Sequence, residues 1–201
     1  MKNALAKQPL KPAILKLAGM LAMVSALLTM PMFLISFQLE GRHDDTALAV
    51  HLALQGGGTV IFVALALTFR SLLARNCSFK KADPIILALI ILNLVYAVAY
   101  SASLLIPQGE EQLGPILIIL VILLGIAQSG LGLRLFALES DLGGFKRPYI
   151  WLNIITGVCL ASVVLMTVGV IASAVADVML GTIFFQEARR LGSSPKTDIQ
   201  V

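Results

Sequence analysis

The chain has 201 residues, of which 58% are hydrophobic and only 13% charged, where a soluble domain would carry about 25% charged residues. That imbalance excludes an ordinary water-facing surface, and the formal charge of +4 is spread between apolar runs, not gathered into the basic stripe that nucleic acid requires. Cys77 and Cys159 are too far apart in sequence and setting to form a disulfide framework or a zinc ligand set, so neither a metal nor a cofactor is expected.

The predicted architecture is all-α: a polytopic membrane bundle of six transmembrane helices with the N- and C-termini cytoplasmic. Residues 1–12 form a basic cytoplasmic arm bearing Lys2, Lys7 and Lys11. Helix one is expected at about 13–37. It resembles a signal peptide, but its uncharged stretch from Leu17 to Leu39 exceeds an h-region of about 7–15 residues and lacks a small-x-small cleavage site, so it reads as a retained span. Pro31 should kink it by removing a backbone donor. Helix two is expected at about 46–69, where Gly56, Gly57 and Gly58 either loosen the helix or admit a close neighbour. Helix three, about 84–105, opens on Asp83-Pro84, read as an N-cap followed by proline at the first helical position. Helix four, about 113–133, is started by Pro115.

The stretch from Pro148 to Gln186 carries a single charge, Asp177. As one helix it would be about 58 Å long at 1.5 Å per residue, nearly twice the hydrocarbon core. It is therefore divided into helices at about 149–167 and 170–188, turning near Thr167 to Gly169. Residues 13–190 make up the transmembrane domain, and 191–201 form a disordered cytoplasmic tail containing Ser194-Pro195.

Charge placement supplies the orientation. Fourteen of the fifteen Lys and Arg fall in the N-terminal arm, the 70–83 and 134–147 connections and the C-terminal tail; Arg42 alone lies in the opposite set. That bias places those segments in the cytoplasm. The opposite connections carry Glu40, Asp44, Asp45, Glu110 and Glu111. Phe37, Phe69, Tyr149, Trp151, Phe184 and Phe185 fall near the predicted interfaces, as amphipathic rings should. The expected location is the bacterial cytoplasmic (inner) membrane, as a multi-pass protein.

Polar residues inside the spans recur at helical spacing and should face the bundle interior. Ser25, Thr29 and Ser36 make one such stripe; Asn153 and Gly157, and Ser173, Asp177 and Gly181, make others. Small residues such as Gly125, Ser129 and Gly132 permit close helix contact, within the bundle or between protomers. Asp177 stands out, because a carboxylate at mid-helix costs about 2.5–3.5 kcal/mol on insertion scales. Counted along the helix it lies about 10 Å below the outer end, near the level of His51 at about 6 Å and Gln55 at about 12 Å. Asp177, His51, Gln55, Tyr100 and Thr29 form the candidate polar site, with Asp177 expected beside His51 or Gln55. Nearer the cytoplasm, Asn93 and Gln128 form a second polar level, read as two amides that satisfy each other.

No catalytic residue is assigned. Ser129 lies toward the cytoplasmic side while His43 and His51 lie at the outer end, and no phosphate loop or metal-binding His pair is present. Two classes of function remain. The default is a non-enzymatic membrane component that packs with itself or with a membrane-protein partner. The alternative is a small transporter or channel with a proton- or cation-linked site at Asp177 and His51, its substrate unidentified.

Overall fold

In the computed structural model, residues 10–39 and 44–193 are described. Six α-helices account for nearly all of them: α1 Pro12–Gln38, α2 Asp45–Arg75, α3 Asp83–Leu105, α4 Gly109–Leu135, α5 Lys146–Ala161 and α6 Met166–Ser193, with a single 3₁₀ turn at Leu142–Gly144. Five of the six, all but α5, are long and apolar enough to cross a membrane. With 16 residues, α5 rises about 24 Å, short of a hydrocarbon core of about 30 Å.

Several boundaries differ from expectation, each for a local reason. The α5–α6 turn lies at Ser162–Leu165, not Thr167–Gly169. Ser162 makes it: its hydroxyl donates to the Cys159 carbonyl at 2.8 Å and accepts from the Leu165 N–H at 3.3 Å. One side chain thus serves an orphan carbonyl of the ending helix and a donor of the next, and Val163 turns the chain at φ 59°. Dividing an apolar run by length cannot detect that. Asp83 is the first residue of α3, with Ala82 as its cap, because the Asp83 carboxylate is engaged by Arg70, whose Nε lies 3.4 Å from Oδ1. The α4 helix starts at Gly109, ahead of Pro115. At the C-terminal end, α6 continues to Ser193, three residues into the expected tail; the rest of that tail, residues 1–9 of the arm, and Arg42 lie outside the described residues.

Each helix packs on its chain neighbours, and α6 returns to pack on α1, closing a ring in sequence order. Short connections make neighbours antiparallel. Two seams are the tightest, α1 on α6 and α4 on α5, while α2 rests more loosely between α1 and α3. Small residues build both tight seams. A Cβ on Gly181 would meet the Gly19 carbonyl oxygen at 3.0 Å, and one on Gly125 would lie 2.5 Å from the backbone nitrogen of Ala161. The stripes at Gly125, Ser129, Gly132 and Gly181 are thus consumed inside one chain. By contrast, a Cβ on Gly56 or Gly57 would meet nothing within 4 Å, so those glycines admit no close neighbour.

The two ends of the ring are packed differently. The fully buried large apolar side chains, among them Leu15, Leu72, Ile86, Leu135, Ile150 and Phe184, all sit toward the end that carries the lysines and arginines. Leu10 covers this end, its N–H reaching Asn76 Oδ1 at 3.3 Å, and the Lys146 ammonium donates to the Leu138 carbonyl. Phe69, Tyr149 and Phe184, expected in an interfacial belt, are buried here instead; Phe69 and Tyr149 pack edge to face with ring centroids 5.5 Å apart. Plugging the bundle removes more apolar area from water than ringing it would. Trp151 and Phe37 stay exposed.

Outward faces are apolar. Leu27, Val60, Val98, Ile126, Val158 and Val178 are all exposed, an inverted arrangement relative to a soluble helical bundle and compatible with an integral membrane protein.

Candidate functional site

Closing six helices into a ring leaves a central cavity of about 600 Å³. Every helix contributes to its wall, and the polar stripes lie on it: Ser25, Thr29 and Ser36 from α1, His51, Gln55 and Thr59 from α2, Asn93, Tyr96 and Tyr100 from α3, Gln128 from α4, Asn153 and Thr156 from α5, Ser173 and Asp177 from α6. The remainder is apolar or aromatic, including Phe33, Phe62 and Leu89.

Asp177, Thr29, His51, Gln55 and Tyr100 all border this one space, but Asp177 does not pair with α2. Its carboxylate Oδ2 accepts a 2.6 Å hydrogen bond from the Ser25 hydroxyl. The reason is helix order: α1 stands between α6 and α2, and among the described residues the backbones of α2 and α6 do not approach each other closely. His51 is engaged from the other side, its Nδ1 lying 3.1 Å from the Tyr100 hydroxyl, while Tyr100 stacks on Tyr96 at 6.0 Å between centroids. Thr29 spends its hydroxyl on the Ser25 carbonyl, at 2.8 Å. Gln55 donates to Thr59 one turn along, at 3.5 Å.

The deeper polar level is also rearranged. Gln128 donates to Asn153 Oδ1 at 2.7 Å, and Asn153 Nδ2 in turn donates to the Tyr149 carbonyl at 2.7 Å. Gln128 and Asn153 meet because the glycine seam brings α4 and α5 to close range, so the expected Asn93–Gln128 pair does not form. Asn93 Oδ1 is left buried without a partner, as is Thr156 Oγ1 on a residue only 2% exposed. Unsatisfied buried polar atoms of this kind carry a desolvation penalty that a hydrogen-bonding ligand would relieve.

Sequence reasoning missed Thr156 and Tyr149. Thr156 is three residues after Asn153, on the same face of α5, so helical spacing was a usable signal. For Tyr149 there was none, since its position next to Arg147 equally suits an interface.

The electrostatics of the cavity are simple. Among the described residues, Asp177 is the one carboxylate on its wall, His51 the one imidazole, and no Lys or Arg lines it. Among the described residues no group of three or more His, Cys, Asp or Glu could hold a metal ion. Outside the membrane-length segments, Cys77 is half-buried beside Ser140, and burial pushes its thiol up from the usual range.

No family model matches the chain, and no curated protein or solved structure is significantly similar to it.

Proposed function

We propose that this protein is a six-span carrier of the bacterial inner membrane, with both ends cytoplasmic, that binds a small organic molecule in its central cavity and moves it across the bilayer. The observation that supports this reading is the cavity itself: about 600 Å³, walled by the polar faces of all six helices and sealed at the basic end by apolar side chains, whereas among the described residues the fully buried large apolar side chains do not extend to the acidic end. Ligand cavities of about 300–1,000 Å³ with a few convergent polar groups are the usual form of a small-molecule site. Closure at one end only is the form expected of a carrier resting in one of its two access states.

This reading places the transporter alternative ahead of the partner-subunit default. The small-residue stripes, which suit contact within the bundle or between protomers, are occupied within the chain, whereas the cavity polar groups have no internal purpose that demands a hollow bundle. The orientation rests on the Lys and Arg bias. Under it α5 crosses together with the apolar Val163–Leu165 turn, and the open end faces away from the cytoplasm. The chemistry offered by the wall is recognition, not bond-making.

The test is access. In a background lacking Cys77 and Cys159, Ser173→Cys and Gln55→Cys should react with a membrane-impermeant methanethiosulfonate added from the outside, and Val178→Cys, on the lipid face, should not. Equal protection of the two cavity positions from both sides would reject the reading.

A further inference from the structure

Taking the carrier reading as its basis, we infer that the ligand is a lipophilic amine bound in its protonated, cationic form, with its ammonium group against Asp177 and its apolar body among the aromatic side chains of the cavity.

Charge comes first. Among the described residues the wall holds one carboxylate and no Lys or Arg, and the hydrogen bond that Asp177 receives comes from a neutral hydroxyl, Ser25. No ion pair to Asp177 exists among the described residues. A lone carboxylate inside a membrane bundle is costly to keep there, and a ligand cation would supply the missing counter-charge. An anionic ligand would instead meet a like charge with nothing to neutralise it.

Hydrogen-bonding capacity narrows the class. Of the partnerless buried atoms on the wall, Asn93 Oδ1 is an acceptor and the Thr156 hydroxyl can accept as well as donate, so an N–H donor suits the site better than a quaternary cation. Aromatic surface adds to this. Tyr96 and Tyr100 present a stacked pair and Phe33 and Phe62 line the same space, which suits both cation–π contact and an apolar ligand body. A bare or hydrated metal ion would leave most of about 600 Å³ unfilled and would find no ligand cluster. Asp45 and Glu111 at the acidic end of the ring would raise the local concentration of cations there.

Three isosteric probes separate the possibilities: 1-naphthylmethylamine, a cation at neutral pH, 1-naphthalenemethanol, neutral, and 1-naphthoate, an anion. Binding of each to the full chain in phosphatidylcholine nanodiscs, corrected against empty discs, should rank the amine first by at least about tenfold, as one charge-assisted hydrogen bond would give. Asp177→Asn should remove the amine's advantage over the alcohol, with the helical circular dichroism of the variant reporting on folding. Should Asp177→Asn fail to fold, the ranking in the wild type still decides the charge preference, and Asp177→Glu should keep it. Equal binding of amine and alcohol, or tighter binding of naphthoate, would overturn the cation assignment while leaving the cavity reading intact. Binding of none of the three would reject both.

Discussion

Adding one methyl group at Gly157 should strain one of the two tightest seams of the ring, that of α4 on α5, and adding it at Gly57 should stabilise the protein. A Cβ on Gly157 would lie 2.5 Å from the Ser129 backbone nitrogen, whereas non-bonded heavy atoms sit at about 3.5 Å at their optimum. The Ser129 side chain can rotate away, but its backbone cannot, so α4 and α5 must separate by about 1 Å. Overpacking of that kind costs about 1–3 kcal/mol, and this contact, against backbone, belongs at the upper end. Replacing glycine by alanine within a helix returns about 1 kcal/mol, which leaves a net loss of about 2 kcal/mol for Gly157→Ala. At Gly57 a Cβ would meet nothing within 4 Å, so only the helix-propensity gain of about 0.5–1 kcal/mol remains. The assay is reversible unfolding in mixed micelles, titrated with dodecyl sulfate and followed by circular dichroism. Opposite signs are expected, with Gly157→Ala shifting the midpoint down and Gly57→Ala shifting it up. If both variants moved stability by the same amount in the same direction, the small-residue account of the α4–α5 seam would be wrong.

The Gln128–Asn153 bond at 2.7 Å should give a coupling energy of about 0.6 kcal/mol, and at most about 1.7, in a double-mutant cycle with alanine at each position; zero coupling would show that the amides do not meet. Arg70→Ala should cost less than about 1 kcal/mol despite the ion pair with Asp83, because the arginine is partly exposed; a loss of several kcal/mol would mean that the pair is shielded from solvent. Topology reporters placed after Ser78 and Ser140 should read cytoplasmic, and those after Gly109 and Val164 the opposite side; a cytoplasmic result after Val164 would remove α5 from the spans. In a Cys159→Ala background, N-ethylmaleimide should alkylate Cys77 more slowly in the folded protein than in dodecyl sulfate between pH 7 and 9. A raised thiol pKa keeps the neutral form to higher pH and so lowers the reactive thiolate fraction throughout that window. Equal folded and unfolded rates would contradict the burial.

The one-dimensional record of charge and hydropathy was enough to establish the all-helical class, the number of helices and the inward direction of the polar stripes. The cost of placing polar groups against lipid acts on each helix separately, so it is written locally. Ser25, His51, Asn153 and Asp177 could therefore be assigned to interior faces one helix at a time. Which of them would touch depended on the order and spacing of the helices, and that was decided by the tertiary fold. The glycines of α4 and α5 bring those two backbones together and hand Gln128 to Asn153 instead of Asn93. The closure of α6 onto α1 gives Asp177 to Ser25 and leaves His51 to Tyr100. The cavity likewise belongs to no segment of the chain. It exists because small residues close two of the six seams tightly and, among the described residues, the fully buried large apolar side chains gather at one end of the ring, both being sums over contacts between residues far apart in sequence.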